Sequence, residues 1–330
     1  MAVLVYAENK EGKFKKATYE ACTYGYDLAQ SLGVPCMAVS VGKVDDAELK
    51  SLGKYGVSKV LNVQHDKLAA FGEASYASAI AEAAQKAGAQ IVILAQTYNG
   101  RAIGPRLSVK LGAAFFSGVT SLLAKSGSGY QAKRMAYTSK AIEELGTSRS
   151  NVIVSVKGNS YKVKENPVDA AIEAAGYTPA DKDFVLVSKE IKKASDKVSL
   201  TEAEIVVSAG RGIGGDEATF AKNWQNIGEL ADMIGAATAC SKPVGDLHWR
   251  PHHEHVGQTG VQISPNVYIA VGISGAIQHL AGVSSSKTII VINKDPEAPF
   301  FKAADYGIVA DAMDVLPKLN AAIKDYKAKH

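Results

Sequence analysis

Three stretches in the last third of this 330-residue sequence carry residue types that can hold a charged, aromatic ligand. The first is Ile205-Val-Val-Ser-Ala-Gly210-Arg-Gly212-Ile-Gly-Gly215. An apolar run opens there into glycines spaced as GxGxxG and then into a helix-like segment. Glycines let a backbone approach a pyrophosphate, and a helix N-terminus offers free N–H groups and the positive end of its dipole. Arg211 can add a charge-assisted bond to phosphate. A glycine-rich turn with a solvated Arg211 fits the same residues. The acidic residue expected about 20 positions further on in NAD sites is not evident.

The second stretch is Val271-Gly-Ile-Ser274-Gly-Ala-Ile-Gln-His279. Ser274, Gly275 and the N–H groups of Ala276 and Ile277 form a candidate anion cradle. Gln278 and His279 follow one turn into a helix, within reach of a ring bound above it, although His279 reads equally as a half-buried core histidine. The third is Val291-Ile-Asn293-Lys-Asp295-Pro-Glu-Ala-Pro299, where polar side chains end a buried strand. Open α/β sheets bind ligands at that edge, and turn chemistry before Pro296 and Pro299 is the competing account. Two phosphate-type junctions and one polar strand end argue together for a large ligand with phosphates and a base.

The elements that must position these residues alternate. In the N-terminal half, residues 2–7, 36–41, 59–63 and 91–95 read as buried strands, and 15–32, 46–55 and 73–87 as helices, with Gly33-Val-Pro35 and Gly88 as stops. That rhythm implies a mostly parallel sheet with helices on both faces. Beyond Gly112, the segments 119–124, 134–137 and 152–156 read as strands that extend this domain in antiparallel fashion, with a turn at 126–130. The second domain restarts with strands at 204–208, 268–271, 288–292 and 306–309. Its helices fall at 217–234, from 277, and from 313 onward. The expected fold class is α/β in two domains: an N-terminal Rossmann-like domain at 1–188, a polar Lys-rich linker at 189–201, and a C-terminal parallel-sheet domain at 202–330.

Composition narrows the function. The sequence is 47% hydrophobic and 21% charged, with a net charge of +4. This is a globular profile without a basic stripe, so nucleic acid is not an expected partner. Three cysteines cannot make a disulfide framework or hold an iron–sulfur cluster, and a reducing compartment fits. The start, Met1-Ala-Val-Leu-Val-Tyr6, lacks a basic n-region and reads as a strand, and the longest apolar run, 267–283, falls short of the ~20 residues a membrane span needs. A cytoplasmic location and no membrane insertion are therefore expected. The segment HWRPHHEH, from His248 to His255, holds four histidines and Glu254. Pro251 and the adjacent His252 and His253 turn side chains apart, so the expectation is a loop anchored by Trp249 rather than a metal site.

YIAVGISGAIQHLAG from Tyr268 to Gly282, INKDPEAP from Ile292 to Pro299, ADYGIVAD from Ala304 to Asp311 and VGQTG from Val256 to Gly260 form a specific combination. By these motifs the sequence resembles the alpha subunit of electron-transfer flavoproteins, strongly in the last third. TYNGR from Thr97 to Arg101 is compatible in the first domain. The resemblance implies a heterodimer with a beta subunit, docked on the first domain, and one FAD in the second. It implies a carrier that takes electrons from acyl-CoA or other flavin dehydrogenases and passes them to a quinone oxidoreductase or ferredoxin-type acceptor, in simple or bifurcating fashion. Carried over by position, Arg211 would contact the pyrophosphate, and Ser241 and Lys242 would lie beside the flavin ring. Val256, Gly257, Gln258 and Thr259 would line the ring. Ser274, Gly275, Ala276, Ile277, Gln278 and His279 would hold phosphate and ring, with His279 near the pyrimidine carbonyl. Asn293, Asp311 and Ala312 would serve the adenosine end.

The sequence departs from the family at Lys242, where Arg is usual, and in the histidines of the 248–255 loop, which the family generally lacks. A carrier needs no general base of its own. The alternatives are a flavin-dependent oxidoreductase with its own substrate, for which His279 is the one good acid–base candidate, and a nucleotide-binding regulatory module without redox chemistry.

Overall fold

A computed structural model describes residues 1–186, 188 and 199–329. The chain divides into two compact units, Met1–Lys192 and Lys193–His330. Of the linker expected at 189–201, residues 189–198 lie outside the described residues.

The first unit is built on one large sheet. Its parallel strands lie in the order Ala114–Val119, Val152–Val156, Ala89–Ala95, Ala2–Tyr6, Cys36–Val41, Lys59–Val63 and Ala171–Ala174. The central strands bury both faces, which is why Ala2–Tyr6 and Val152–Val156 read as unbroken apolar runs. Odd and even positions diverge into two cores. Val3, Val5, Ile91 and Ile93 pack with Tyr24 and Leu28 of the helix Lys16–Leu32, while Leu4, Val92 and Leu94 pack with Ile80 and Ile103 of the helices Glu73–Lys86 and Tyr98–Leu111.

Antiparallel strands do extend this sheet, but at Ala124–Ser126, Gly129–Ala136 and Ala141–Thr147. The segment 152–156, expected to be antiparallel, runs parallel between two interior strands. Its complete burial, without polar alternation, is the feature that distinguishes it from the ribbon. The strand expected at 119–124 instead ends at Val119. The strands Ala141–Thr147 and Ala171–Ala174, which no reading of the sequence anticipated, are charged and half exposed.

In the second unit five parallel strands lie in the order Ala237–Cys240, Ile205–Ala209, Val267–Val271, Thr288–Asn293 and Tyr306–Val309. The order reverses between Ile205–Ala209 and Val267–Val271, so connections leave these neighbours toward opposite sides and open a crevice at their C-terminal ends. One face is covered conventionally: Val207, Ile269 and Val271 pack against Phe220, Ile227 and Leu230 of the helix Glu217–Ile234 and Leu316 of Ala312–Lys329. The first of these helices starts where Asp216 accepts the Thr219 N–H at 2.9 Å, and it ends at Gly235 in the left-handed region. The other face has no long helix. Val206, Tyr268, Ala270 and Val291 are covered by Val256, Ile263 and Phe300 from loops and by Val283 from the seven-residue helix Ile277–Val283. Complete burial of each such aliphatic side chain contributes about 1.5–3 kcal/mol, so these loops are held by core packing.

Candidate functional site

The crevice is made by two loops that interlock. The Gly210 N–H donates to Val271 O at 2.9 Å, and the Gly212 N–H to Gly272 O at 3.1 Å. A side chain on Gly210 or Gly212 would meet Gly272 O at 2.3 and 2.7 Å, and Gly272 itself has φ +62°. The glycines read from sequence as ligand-facing are therefore used mainly for packing. Gly214 gives passage to the Phe220 N–H at the start of the long helix, whereas nothing lies within 4 Å of the face of Gly215. Arg211 beside it is exposed and makes no ion pair with a described residue.

Next to Gly215 lies an open cleft of about 520 Å³ lined by Arg211, Asn223, Lys294, Asp311 and Met313. Asp311 caps the last helix through the Met313 N–H at 2.9 Å, and Ala312 is buried behind it. Asn293 ties two strand ends together. Its Nδ2 donates to Ile273 O at 2.9 Å, and its Oδ1 accepts from the Asp295 N–H at 3.1 Å. The carboxamide is therefore occupied within the chain.

A second group of loops surrounds His279. Ser274, Ala276, Ile277 and Gln278 are exposed, and Gly275 is buried with φ +83° against the Phe300 backbone. His279 is 7% exposed; its Nε2 lies 2.7 Å from the Tyr268 hydroxyl, and its Nδ1 is buried without a partner. Burial, and then the neighbouring His255, push its pKa down to about 4, so the ring is neutral at pH 7. With Tyr268 donating to Nε2, the proton sits on Nδ1, which is then a buried donor that lacks an acceptor.

Loop 256–260 lies against this helix. The Gln258 N–H donates to Gln278 O at 2.7 Å, and a side chain on Gly282 would meet Gly257 Cα at 2.5 Å. Val256 is buried and donates to Cys240 O, whereas Gln258 and Thr259 are exposed. Ser241 and Lys242 begin the short helix Lys242–Asp246 at the end of the Ala237–Cys240 strand. Ser241 is 6% exposed, and Lys242 Nζ pairs with Asp246 Oδ2 at 2.6 Å in solvent. Every site residue expected from sequence thus lies at the C-terminal edge of one sheet, in two groups joined by the Gly212–Gly272 contact and by Asn293.

The sequence reading assigned no ligand role to Tyr268, Asn223 or Lys294, and weighed His255 only as part of a metal site that it set aside. Tyr268 faces the same side of the sheet as Ala270, and that period of two could have found it. In the 248–255 loop, Glu254 is held by Arg250 at 2.6 and 2.8 Å, and the Arg250 guanidinium lies over Trp224 at 4.2 Å. Trp249 packs 5.2 Å from Phe220, which anchors the loop to the long helix. Among the described residues no group of three or more His, Cys, Asp and Glu side chains can hold a metal ion. None of the described helices is long and apolar enough to cross a membrane.

The first unit also has a strand-order reversal, between Ala2–Tyr6 and Ala89–Ala95. There the Glu8 carboxylate accepts from Thr97 Oγ1 at 2.5 Å and Asn99 Nδ2 at 2.8 Å, at the start of the helix Tyr98–Leu111. An internal anion stands where a ligand phosphate would bind.

A parallel sheet with a glycine loop and an open polar cleft at its reversal of strand order has the architecture of the α/β class that binds ligands at such a crevice. Comparison with known families narrows this class. The electron transfer flavoprotein domain matches residues 3–182, and the electron transfer flavoprotein FAD-binding domain matches residues 199–284. The chain is 34% identical to the electron transfer flavoprotein subunit alpha of Clostridium acetobutylicum, over 98% of this chain and 96% of that one. It is 35% identical to that of Pseudomonas aeruginosa (98% and 100%) and 32% identical to that of Bacillus subtilis (98% and 97%). The chain belongs to the electron transfer flavoprotein alpha-subunit family, whose members are named as electron carriers rather than catalysts.

Proposed function

We propose that the second unit holds one FAD. Paired with an electron transfer flavoprotein beta subunit, the chain would then carry electrons from flavin dehydrogenases, acyl-CoA dehydrogenases among them, to a quinone oxidoreductase or ferredoxin-type acceptor. The observation that carries this reading is His279 Nδ1, buried without a hydrogen-bond partner, at the same sheet edge as an open cleft lined by Arg211, Gly215 and Lys294. A dinucleotide with a carbonyl-bearing ring fits both ends.

Bound there, FAD supplies one- and two-electron transfer. Arg211 and the N–H groups around Gly215 neutralise the pyrophosphate. Asp311, Ala312 and the loop end at Asn293 receive the adenosine end. Ser274, Gly275, Ala276 and Ile277 would hold phosphate and ring with Gln278, and His279 would lie near a ring carbonyl, to which Nδ1 could donate. Val256, Gly257, Gln258 and Thr259 would line the ring and Ser241 and Lys242 would lie beside it, where the Lys242 charge would favour a negatively charged ring.

The test is the visible spectrum of the chain co-expressed with its beta subunit, followed by stepwise reduction. A yellow heterodimer that takes up electrons in steps supports the carrier. A colourless complex with bound nucleotide would remove redox function from this chain.

A further inference from the structure

One buried imidazole has no part in that function. His255 immediately precedes the loop proposed to line the ring and is 2% exposed. Its backbone is fixed: its N–H donates to His252 O at 3.1 Å, and its carbonyl accepts from Val261 N–H at 2.9 Å. Glycines make room for its ring. A side chain on Gly260 would come within 2.8 Å of Nδ1, one on Gly257 within 3.3 Å of Nε2, and one on Gly245 within 3.4 Å of Cβ. Across Gly257 lies His279, whose Cα would be 3.7 Å from the same added Cβ. His255 Nδ1, like His279 Nδ1, is buried without a hydrogen-bond partner. An imidazole nitrogen buried without a partner is, in the neutral ring with its proton on the other nitrogen, a vacant proton-binding position.

The charged and titratable groups around His255 largely cancel. Lys242 and Asp246, on the short helix, pair with each other, and Arg250 and Glu254 do likewise. The His252 ring stands edge-on at 5.6 Å, His279 faces it from the helix Ile277–Val283, and the thiol of Cys240 lies at the adjoining strand end. In this balanced setting, burial first and then His252 and Lys242 hold the ring below the ordinary imidazole pKa, so it is neutral while the site carries no extra charge. A negative charge close by is the change that would favour its protonated form.

Resting on the FAD reading above, we infer that His255 is a redox-linked proton site: when the site takes up its first electron, His255 Nδ1 binds one proton from solvent, and releases it when that electron passes to the acceptor. The electron comes from the donor flavoprotein and the proton from water. No bond to the cofactor forms or breaks, and the net charge of the site is unchanged. The exposed His252 gives the proton a route in from the surface. His255 acts through the field at the ring and does not touch the reacting atoms, so it is a positioning residue.

The experiment is the first one-electron potential of the chain–beta-subunit complex, measured across about pH 6 to 8.5, the imidazole range. One proton per electron moves a potential by about 59 mV per pH unit. The cofactor's own protonation contributes equally in wild type and variant, so the difference between them is read. His255→Gln is expected to hold FAD and to flatten the slope. An identical slope in both overturns the proton site alone, whereas a wild-type complex without flavin overturns the FAD reading and this inference together. If His255→Gln fails to assemble, NMR titration of the His255 imidazole in the oxidised and reduced wild-type complex decides. An upward shift of at least about one pH unit on reduction is expected, and an unmoved midpoint overturns the proposal.

Discussion

Lys242 and His279 are polar residues of the same site with opposite electrostatic situations. The Lys242 ammonium is half exposed and shared with Asp246, so much of its field is spent before it reaches a ligand. An arginine would keep the charge, add a planar fork that can pair with Asp246 and stack at once, and hold its position better. Lys242→Arg is expected to raise the first one-electron potential by roughly 20–60 mV, up to about a tenfold preference for the negatively charged ring. Potentiometric titration of both complexes checks this, and unchanged potentials would remove Lys242 from the ring's surroundings. His279 is instead deeply buried and neutral. Its pKa falls from 6.5 to about 4 on folding, so the folded state binds fewer protons than the unfolded chain. Its contribution to stability is therefore complete above about pH 6.5 and is lost as the pH falls toward 4, a difference of roughly 3 kcal/mol. Urea unfolding of the second unit's signal at pH 7 and pH 4.5 measures the loss, and His279→Gln should remove much of the pH dependence.

The glycine loops separate packing from binding at the scale of elements. Gly212→Ala would drive a methyl group to 2.7 Å from Gly272 O, where backbone meets backbone and neither loop can yield cheaply. It should destabilise the second unit by about 1–3 kcal/mol. Gly215→Ala meets nothing within 4 Å, so it should leave the melting temperature close to wild type while weakening FAD retention. Comparing melting temperature and flavin content of the two variants tests the assignment; flavin retained fully in Gly215→Ala would move the pyrophosphate elsewhere. The sequence made four of the second unit's five strands legible to within a residue or so, because their apolar runs end near Gly, Asn or Asp, whereas the edge strand Ala237–Cys240, short and closed by Ser241, was not read. It also made legible that Arg211, Ser274 and His279 belong to strand ends. It could not show that Gly210 and Gly212 face a second loop rather than a ligand, because GxGxxG spacing is the same in both cases. Nor could it pair Tyr268 with His279, a contact that depends on how a short helix lies over the sheet. The edge strand Ala141–Thr147 escaped because its half-exposed, charged sequence carries little of the apolar signal that marks buried strands.

At the scale of the molecule, two α/β units each have a crevice at a reversal of strand order, and only one of them is open. In the first unit Glu8, held by Thr97 and Asn99, already supplies the anion at the helix start. The expected stoichiometry is therefore one FAD per chain, measured by flavin absorbance against protein concentration in the purified heterodimer. A value near two would mean a second flavin, in the first unit in place of Glu8 or on the beta subunit, which flavin content of the separated chains distinguishes. The cysteines carry a consequence of another kind. Cys22, Cys36 and Cys240 are all buried, and burial pushes the thiols of Cys36 and Cys240 up to about 12 and raises that of Cys22 well above the ordinary thiol range. Thiolates are the form that oxidants attack, and these side chains are almost never thiolates at neutral pH. A flavin working one electron at a time near oxygen generates peroxide, yet Cys240, at the end of the strand that leads into Ser241 and Lys242, is insulated from it. These thiols are poor targets for oxidants, and the working life of the complex should be limited by loss of cofactor rather than by oxidative damage to them.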